Sequence, residues 1–517
     1  MQSPVTNIPE CDRVVFHDLQ ERFRDHFETV FPEPLAPRSV VVVPSLSLDT
    51  QILAKISGVT HYEERLLCLL MLLRLPKTQM VFVTSQPIDP VIIDYFLNLL
   101  PGVPVNHSRK RLTLLSCFDS SPVSLTQKIL QRPRVIDRIK QAVRFPGAAH
   151  LSCFNATPLE RDLAIRLNMP LYACDPELTA LGSKSGSRRI FREAGVPMPD
   201  GFEDLRNLED VTEALADLKL RNPDLRKAVV KLDEGFSGEG NAVFNFEGAP
   251  QGGGLLTWVG QQLPQRLLFE AKDETFEPYF ARFDKMRGIV EAWIEGEHKV
   301  SPSVQCRINP GGVGEVISTH DQIMGGPSGQ IFQGCTFPCS ADYRDHIQDM
   351  GDRVTNQLAN RSVLGRFSVD FISVKQATSW RHYAIEINLR KGGTTHPFMM
   401  LQFLTDGSYN RATGEYRTPN GRARYYYCTD NLESKFYRGL TAEDLIDIAV
   451  CNGLHFHGAS QEGVFFHLIG ALSEFGKLGV VAIGRNRHRA RKLYEKTVEV
   501  LEAESRLHQE QLESESS

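Results

Sequence analysis

Two apolar runs, Phe367 to Val374 and Tyr383 to Arg390, constrain the fold most, because each carries polar groups among Ile, Val and Phe. Alternating β-branched and aromatic residues read as strands whose successive side chains face opposite ways. On that pattern Glu386, Asn388 and Arg390 share one face. If the two strands pair as a hairpin with Asp370 on the same face, three hard oxygen ligands converge, a set suited to Mg²⁺ bridging nucleotide phosphates. Arg390 would then point at the transferred group. A half-solvated sheet face explains one such residue, but four interleaved polar positions are harder to bury, since an unpaired carboxylate is costly away from water.

The first third alternates in another way. Ser39 to Val43, Met80 to Thr84, Leu112 to Cys117, His150 to Phe154 and Leu171 to Ala173 are short β-rich runs, separated by helix-like stretches such as the one ending at Leu75 and Leu159 to Leu167. This is the punctuation of an open α/β layer. No glycine fingerprint follows its first strand, so a dinucleotide site is not expected there. Near Asp175 the character changes: Ser183 can cap a helix that stops at Gly195 and Pro197. From Lys227 to about Thr418, short strands alternate with glycine-rich turns. After Tyr425 the chain reads as mostly helical and ends in a polar Glu/Ser/Gln tail.

Lys227 to Leu232 is a strand that runs into a loop containing Gly235, Ser237, Gly238 and Gly240. Lys231 shares a face with Val229, and the glycines after it let backbone N–H groups approach phosphate oxygens while the ammonium neutralises them. A plain hairpin with an edge lysine would look the same, and the loop is neither a Walker nor a Rossmann sequence. Gly288 to Glu297 is an apolar strand ending in an acidic turn. Glu291, Trp293 and Ile294 could meet an adenine ring there and Glu297 the ribose hydroxyls; taken alone the stretch is equally a strand, a turn and solvated glutamates.

With 517 residues the chain can bury two or three cores. A formal net charge of -5 offers no general attraction to nucleic acid or anionic membrane. The run Leu66 to Leu75 is too short to cross a bilayer. Ten scattered cysteines, only Cys335 and Cys339 close together, and a polar start point to a reduced, cytoplasmic setting. Cys335 and Cys339 read as buried thiols, and His455 and His457 as packing residues, since no third ligand accompanies them.

In this order the three signals resemble the ATP-grasp superfamily. The resemblance makes Lys184 the first phosphate lysine and Lys231 the second, places Gly235 to Gly240 on the phosphate loop, Glu291, Trp293 and Ile294 on the hinge, and Asp370, Glu386 and Asn388 on the magnesium positions. The segments Ser301 to Gln305, Ile317 to Gln322, Gly325 to Gln330, Glu386 to Pro397, Phe465 to Gly470 and Glu474 to Gly479 are similar to the pheganomycin-type peptide ligases. That family implies an α/β and α+β chain: a pre-ATP-grasp α/β domain (1–180), an ATP-grasp domain of two α+β subdomains (181–424), a mostly helical C-terminal domain (425–505) and a disordered tail (506–517). It further implies ATP and Mg²⁺, or Mn²⁺, as cofactors. The activity implied is coupling of an amino-acid-like carboxylate to an amine or peptide through an acyl phosphate, with Arg390 and Lys231 catalytic. The ribose glutamate often lies one place further from the hinge, where this chain has His298. His320 and Asp321 could line the amine site, and a homodimer is left open as the assembly. A small-molecule kinase or a non-catalytic nucleotide-binding protein on the same scaffold are the alternative readings.

Overall fold

The computed structural model describes residues 9–235, 240–271, 274–326 and 329–515, with side chains to 506. Three sheets carry the architecture, with a small two-stranded ribbon beside them. The first is four-stranded and parallel, in the order Leu112–Ser116, Thr78–Thr84, Arg38–Val43, Ala149–Cys153. Its central strand is buried on both faces, Val40 and Val42 entering one core and Val41 and Val43 another. Parallel strands covered by helices on both sides require this. The expected strand at Leu171 to Ala173 shrinks to a single bridge between Leu151 and Leu171.

The second sheet has five strands, in the order Gly201–Leu205, Gly288–Ala292, Lys227–Leu232, Asn241–Asn245, Leu267–Phe269. The helices Leu208–Arg221, Leu255–Arg266 and Phe276–Met286 cover one face around Phe244, Tyr279 and Phe283. Its other face, carrying Val229, Lys231 and Glu291, lines a cleft.

The third sheet is antiparallel and eight-stranded: Trp380–Asn388, Gly365–Lys375, Lys299–Ile308, Gly314–Gly325, Ile331–Phe337, Tyr425–Glu433, Lys477–Gly484, Gly463–His467. Its last three strands come from the part of the chain expected to be mostly helical. The helices Ala442–Cys451 and Arg487–Glu515 are present, but three strands beyond Tyr425 complete the central sheet. Gly334 lets Ile331–Phe337 and Tyr425–Glu433 approach, since a Cβ there would lie 2.2 Å from the Cys428 carbonyl oxygen. Cys335 faces Cys428 across this pair, Sγ to Sγ 3.2 Å, both buried free thiols. The last helix runs from Arg487 to Glu515, and Glu, Gln and Leu in its final turns are good helix formers. Among the described residues no helix is long and apolar enough to cross a membrane.

Candidate active site

Between the second and third sheets lies a cleft of about 740 Å³, within the range of small-molecule sites. The hairpin anticipated from sequence forms its floor. Asp370 stands directly opposite Glu386, and Ser368 opposite Asn388, with a bulge between Asp370 and Phe371. Ser303, on the adjoining strand, pairs with Asp370 in register and donates to its Oδ1 at 2.6 Å.

Asn388 Nδ2 donates to Asp370 Oδ2 at 3.0 Å and to Glu386 Oε1 at 3.1 Å. Lys184, the first residue of the helix capped by Ser183, reaches Glu386 Oε2 at 2.6 Å. Two carboxylates thus converge, balanced by one ammonium and one amide NH₂. Burial, then the charge of Glu386, pushes the Asp370 carboxyl up. Burial also opposes ionisation of Glu386, but the ammonium groups of Lys184 and Lys231 outweigh it and hold that carboxyl below its ordinary value. Like charges this close are the environment in which a hard divalent cation fits, because it would relieve both the repulsion and the desolvation. Asn388 presents its NH₂ to the carboxylates and its Oδ1 to Arg390 Nη2, at 3.1 Å.

Lys231 projects from its strand into the cleft and is paired with Glu291 on the neighbouring strand. Arg188 approaches the other Glu291 oxygen at 3.5 Å and Glu203 at 3.1 Å. Glu291 is therefore engaged by two cations in this state. Trp293 and Ile294 follow it along the cleft wall, with Lys299 Nζ 4.5 Å from the Trp293 ring centroid. Gly235 and Gly240 line the cleft beneath them; Ser237 and Gly238 lie outside the described residues.

Glu297 is placed elsewhere. It is exposed and does not line the cleft. The turn before it packs closely on the hairpin: a Cβ on Gly296 would come within 2.3 Å of Val374 Cγ1.

His320 is likewise not at the surface of the cleft. It is fully buried against Phe337 and Phe398, hydrogen bonded to the Tyr426 hydroxyl at 2.7 Å, and burial pushes its imidazole down to about 3. Asp321 does line the cleft, but accepts from Ser340 N at 2.9 Å and from Tyr343. A histidine whose folded pKa lies below its ordinary 6.5 contributes stability that is present above pH 6.5 and lost as pH falls toward the folded value. Urea unfolding at pH 7 and pH 5 is expected to show His320→Leu with a shallower acid loss than the wild type. The difference is bounded by about 1.4 kcal/mol per pH unit. Equal slopes would mean that the imidazole is charged in the fold.

Sequence reading missed the supporting residues Arg188 and Ser303 and a group at the far end of the cleft. There Asp430 Oδ1 lies 2.9 Å from His467 Nε2 and 3.3 Å from His396 Nε2, and Asp430 Oδ2 lies 3.2 Å from Arg65. These two histidines and one carboxylate could hold an ion. The two Nε2 atoms are, however, 2.8 Å apart, a hydrogen-bond distance, whereas ligands of a tetrahedral Zn²⁺ at ordinary bond lengths stand about 3.3 Å apart. The group is a hydrogen-bonded network. One sequence signal existed: Glu63, Glu64 and Arg65 directly precede the apolar run at Leu66.

With this geometry the comparisons agree. Residues 176–249 and 260–412 match the family described as IQCH-like, ATP-grasp, and residues 444–497 match the PGM1 C-terminal domain. The chain is 29% identical over 453 residues to an L-propargylglycine–L-glutamate ligase of Streptantibioticus cattleyicolor, covering 86% of this chain and 90% of that one. It is 24% identical over 452 residues to an IQ motif-containing protein H of Danio rerio, covering 78% of this chain but only 42% of that longer protein. The biotin carboxylase of Campylobacter jejuni, solved with a β,γ-ATP compound, shares the fold at a TM-score of 0.52 and 12% identity, over 88% of this chain and 89% of that one. The chain thus shares the fold of that biotin carboxylase, and its middle part matches an ATP-grasp family.

Proposed function

We propose that the chain is an ADP-forming carboxylate–amine ligase that works through an acyl phosphate. The observation that carries this reading is the convergence, in one cleft, of Asp370 and Glu386 with the cations Lys184, Lys231 and Arg390. Lys184, Lys231 and the loop from Gly235 to Gly240 hold the phosphates of ATP, and the wall at Glu291, Trp293 and Ile294 receives adenine. Mg²⁺, or Mn²⁺ in its place, would be held by Asp370, Glu386 and the Asn388 carbonyl oxygen; when bound it supplies charge neutralisation at the phosphates. Phosphoryl transfer asks little else of a protein than position and charge.

The substrate carboxylate attacks the γ-phosphorus and ADP leaves. Arg390 has the planar fork of donors suited to the acyl phosphate so formed. A neutral amine then attacks the carbonyl carbon, phosphate departs, and the nitrogen loses its proton. The similarity to a ligase of two amino acids makes amino acids the first substrates to try, as acid and as amine.

The test uses the purified full chain with ATP, Mg²⁺ and pairs of L-amino acids, measuring ADP, phosphate and amide by mass spectrometry. ADP and phosphate formed only when acid and amine are both present, and a hydroxamate when hydroxylamine replaces the amine, support the proposal. A phosphorylated alcohol as the stable product would replace it with a kinase. ATP-induced thermal stabilisation without turnover on any pair would leave a nucleotide-binding protein.

A further inference from the structure

Beyond Arg390 the cleft continues to a wall to which the ligase reading gives no task. Tyr62, Arg65, Phe154, Asp430 and Asn431 line it. Arg65 comes from the helical segment Val59–Arg74 of the first third of the chain, and its side chain is 10% exposed. Its guanidinium lies 4.2 Å from the Tyr62 ring centroid and 5.7 Å from that of Phe154, so aromatic faces fix its plane. The Asp430 carboxylate at 3.2 Å is its one ion pair among the described residues. That carboxylate is shared with His396 and His467. Arg65 Nε is enclosed with no hydrogen-bond partner, and the guanidinium donates to no other group among the described residues.

A nearly buried guanidinium with unspent donors is unusual, because desolvated donors are normally satisfied. Here the neighbourhood is cationic as well. Arg390 is close enough to feel the charge of Arg65, and Gly392, Gly393 and Thr394, which lead into the helix Thr395–Thr405, line the same end of the cleft. The matching ligand is a small anion, such as a carboxylate, that accepts from the Nη groups.

We propose that Arg65 anchors a second carboxylate, the one that ligation leaves intact on the amine substrate, which makes that substrate a free amino acid or a peptide with a free C-terminus. The assignment rests on the ligase reading for its chemistry. The carboxylate to be activated belongs beside Arg390 and the Asp370–Glu386 pair; a second one needs its own cation, and Arg65 supplies it from a different domain layer. Asp430 is a positioning residue: its carboxylate, held by His396 and His467, pairs with Arg65 Nη2 and fixes one end of the guanidinium. Gly479 keeps that network in place, since a Cβ there would sit 2.2 Å from His467 Nε2.

The experiment compares the best amine substrate from the amino-acid panel with its carboxamide, in the wild type and in Arg65→Met. In the wild type the carboxamide is expected to raise KM by about 30-fold or more, the effect of losing a charge-assisted pair at a buried site. Arg65→Met should raise KM for the carboxylate substrate by a similar factor and leave KM for the carboxamide and for ATP unchanged, so that the preference disappears. Arg65→Lys should retain part of it. A preference that survives in Arg65→Met, or an equal loss on both substrates, overturns the assignment. Should Arg65→Met lose the thermal stabilisation given by ATP, the comparison is read on Arg65→Lys, where an unchanged preference overturns it equally.

If the wild type turns over no pair, the ligase reading fails and calorimetry decides the anchor separately. Binding of a free amino acid that is lost on amidation and in Arg65→Met supports it. Binding of inorganic phosphate alone, or of no amino acid, overturns it.

Discussion

Glu386→Ala is expected to lower kcat by about 10²–10³-fold, the range for removing one preorganised charged group from a reacting centre. Glu386 touches more of the site chemistry than any neighbour: it faces Asp370 across the hairpin, pairs with Lys184 at 2.6 Å and accepts from Asn388 at 3.1 Å. On the proposed function, alanine would remove one of the oxygens offered to Mg²⁺, and it releases Lys184 to move toward Asp370. It also removes the neighbouring negative charge that helps to push the Asp370 carboxyl up. The floor would keep its shape with one carboxylate fewer. The Glu386 side chain is 25% exposed and at the end of the hairpin, so the fold should survive and the melting temperature should change little. ADP release assayed across Mg²⁺ concentrations checks this. A rate within tenfold of wild type would remove Glu386 from the reaction.

Arg390→Met is expected to reduce kcat by about 10²-fold with little change in KM for ATP. Arg390 Nη1 donates to the Lys391 carbonyl at 3.2 Å and Nη2 to Asn388 Oδ1 at 3.1 Å, which orients the guanidinium just past the carboxylate pair. Burial pulls its pKa down while Glu386 and Asp370 push it up. An oriented, desolvated cation of this kind acts most strongly on charge that develops during transfer. Arg390→Lys should not restore the rate, since an ammonium lacks the planar fork. Hydroxamate formation with hydroxylamine separates the outcomes. If it falls together with ADP release, Arg390 acts on formation of the acyl phosphate, whereas a rise in KM for ATP alone would make it a nucleotide anchor.

The two variants depend on different kinds of legibility. The pairing of Asp370 with Glu386 follows from the period-two alternation of two short runs, and the hairpin leaves that register little freedom, because a slip by one residue would turn every carboxylate into the core beneath. Ser183 as a helix cap and Gly195 as its end were visible for the same local reason, and the structure has them, with Gly195 in the left-handed region. The exposure of Glu297 was not legible, because the turn before it packs at Gly296 against Val374, a residue remote in sequence. The strands after Tyr425 were hidden because their apolar runs, Phe465 to Gly470 and Leu478 to Ile483, are buried on both faces and carry no alternation that would separate strand from buried helix.

What the sequence determined by itself was therefore a set of local objects: the first α/β layer, the lysine strand, and a hairpin with two carboxylates on one face. Each follows from backbone period and side-chain type over about ten residues. Only the tertiary structure decided that Lys231 pairs with Glu291, that Asp430 is held by two histidines from separate elements, and that Arg65 faces Arg390's end of the cleft. Those relations depend on which buried charges find partners once distant segments have packed, and no local pattern records the outcome.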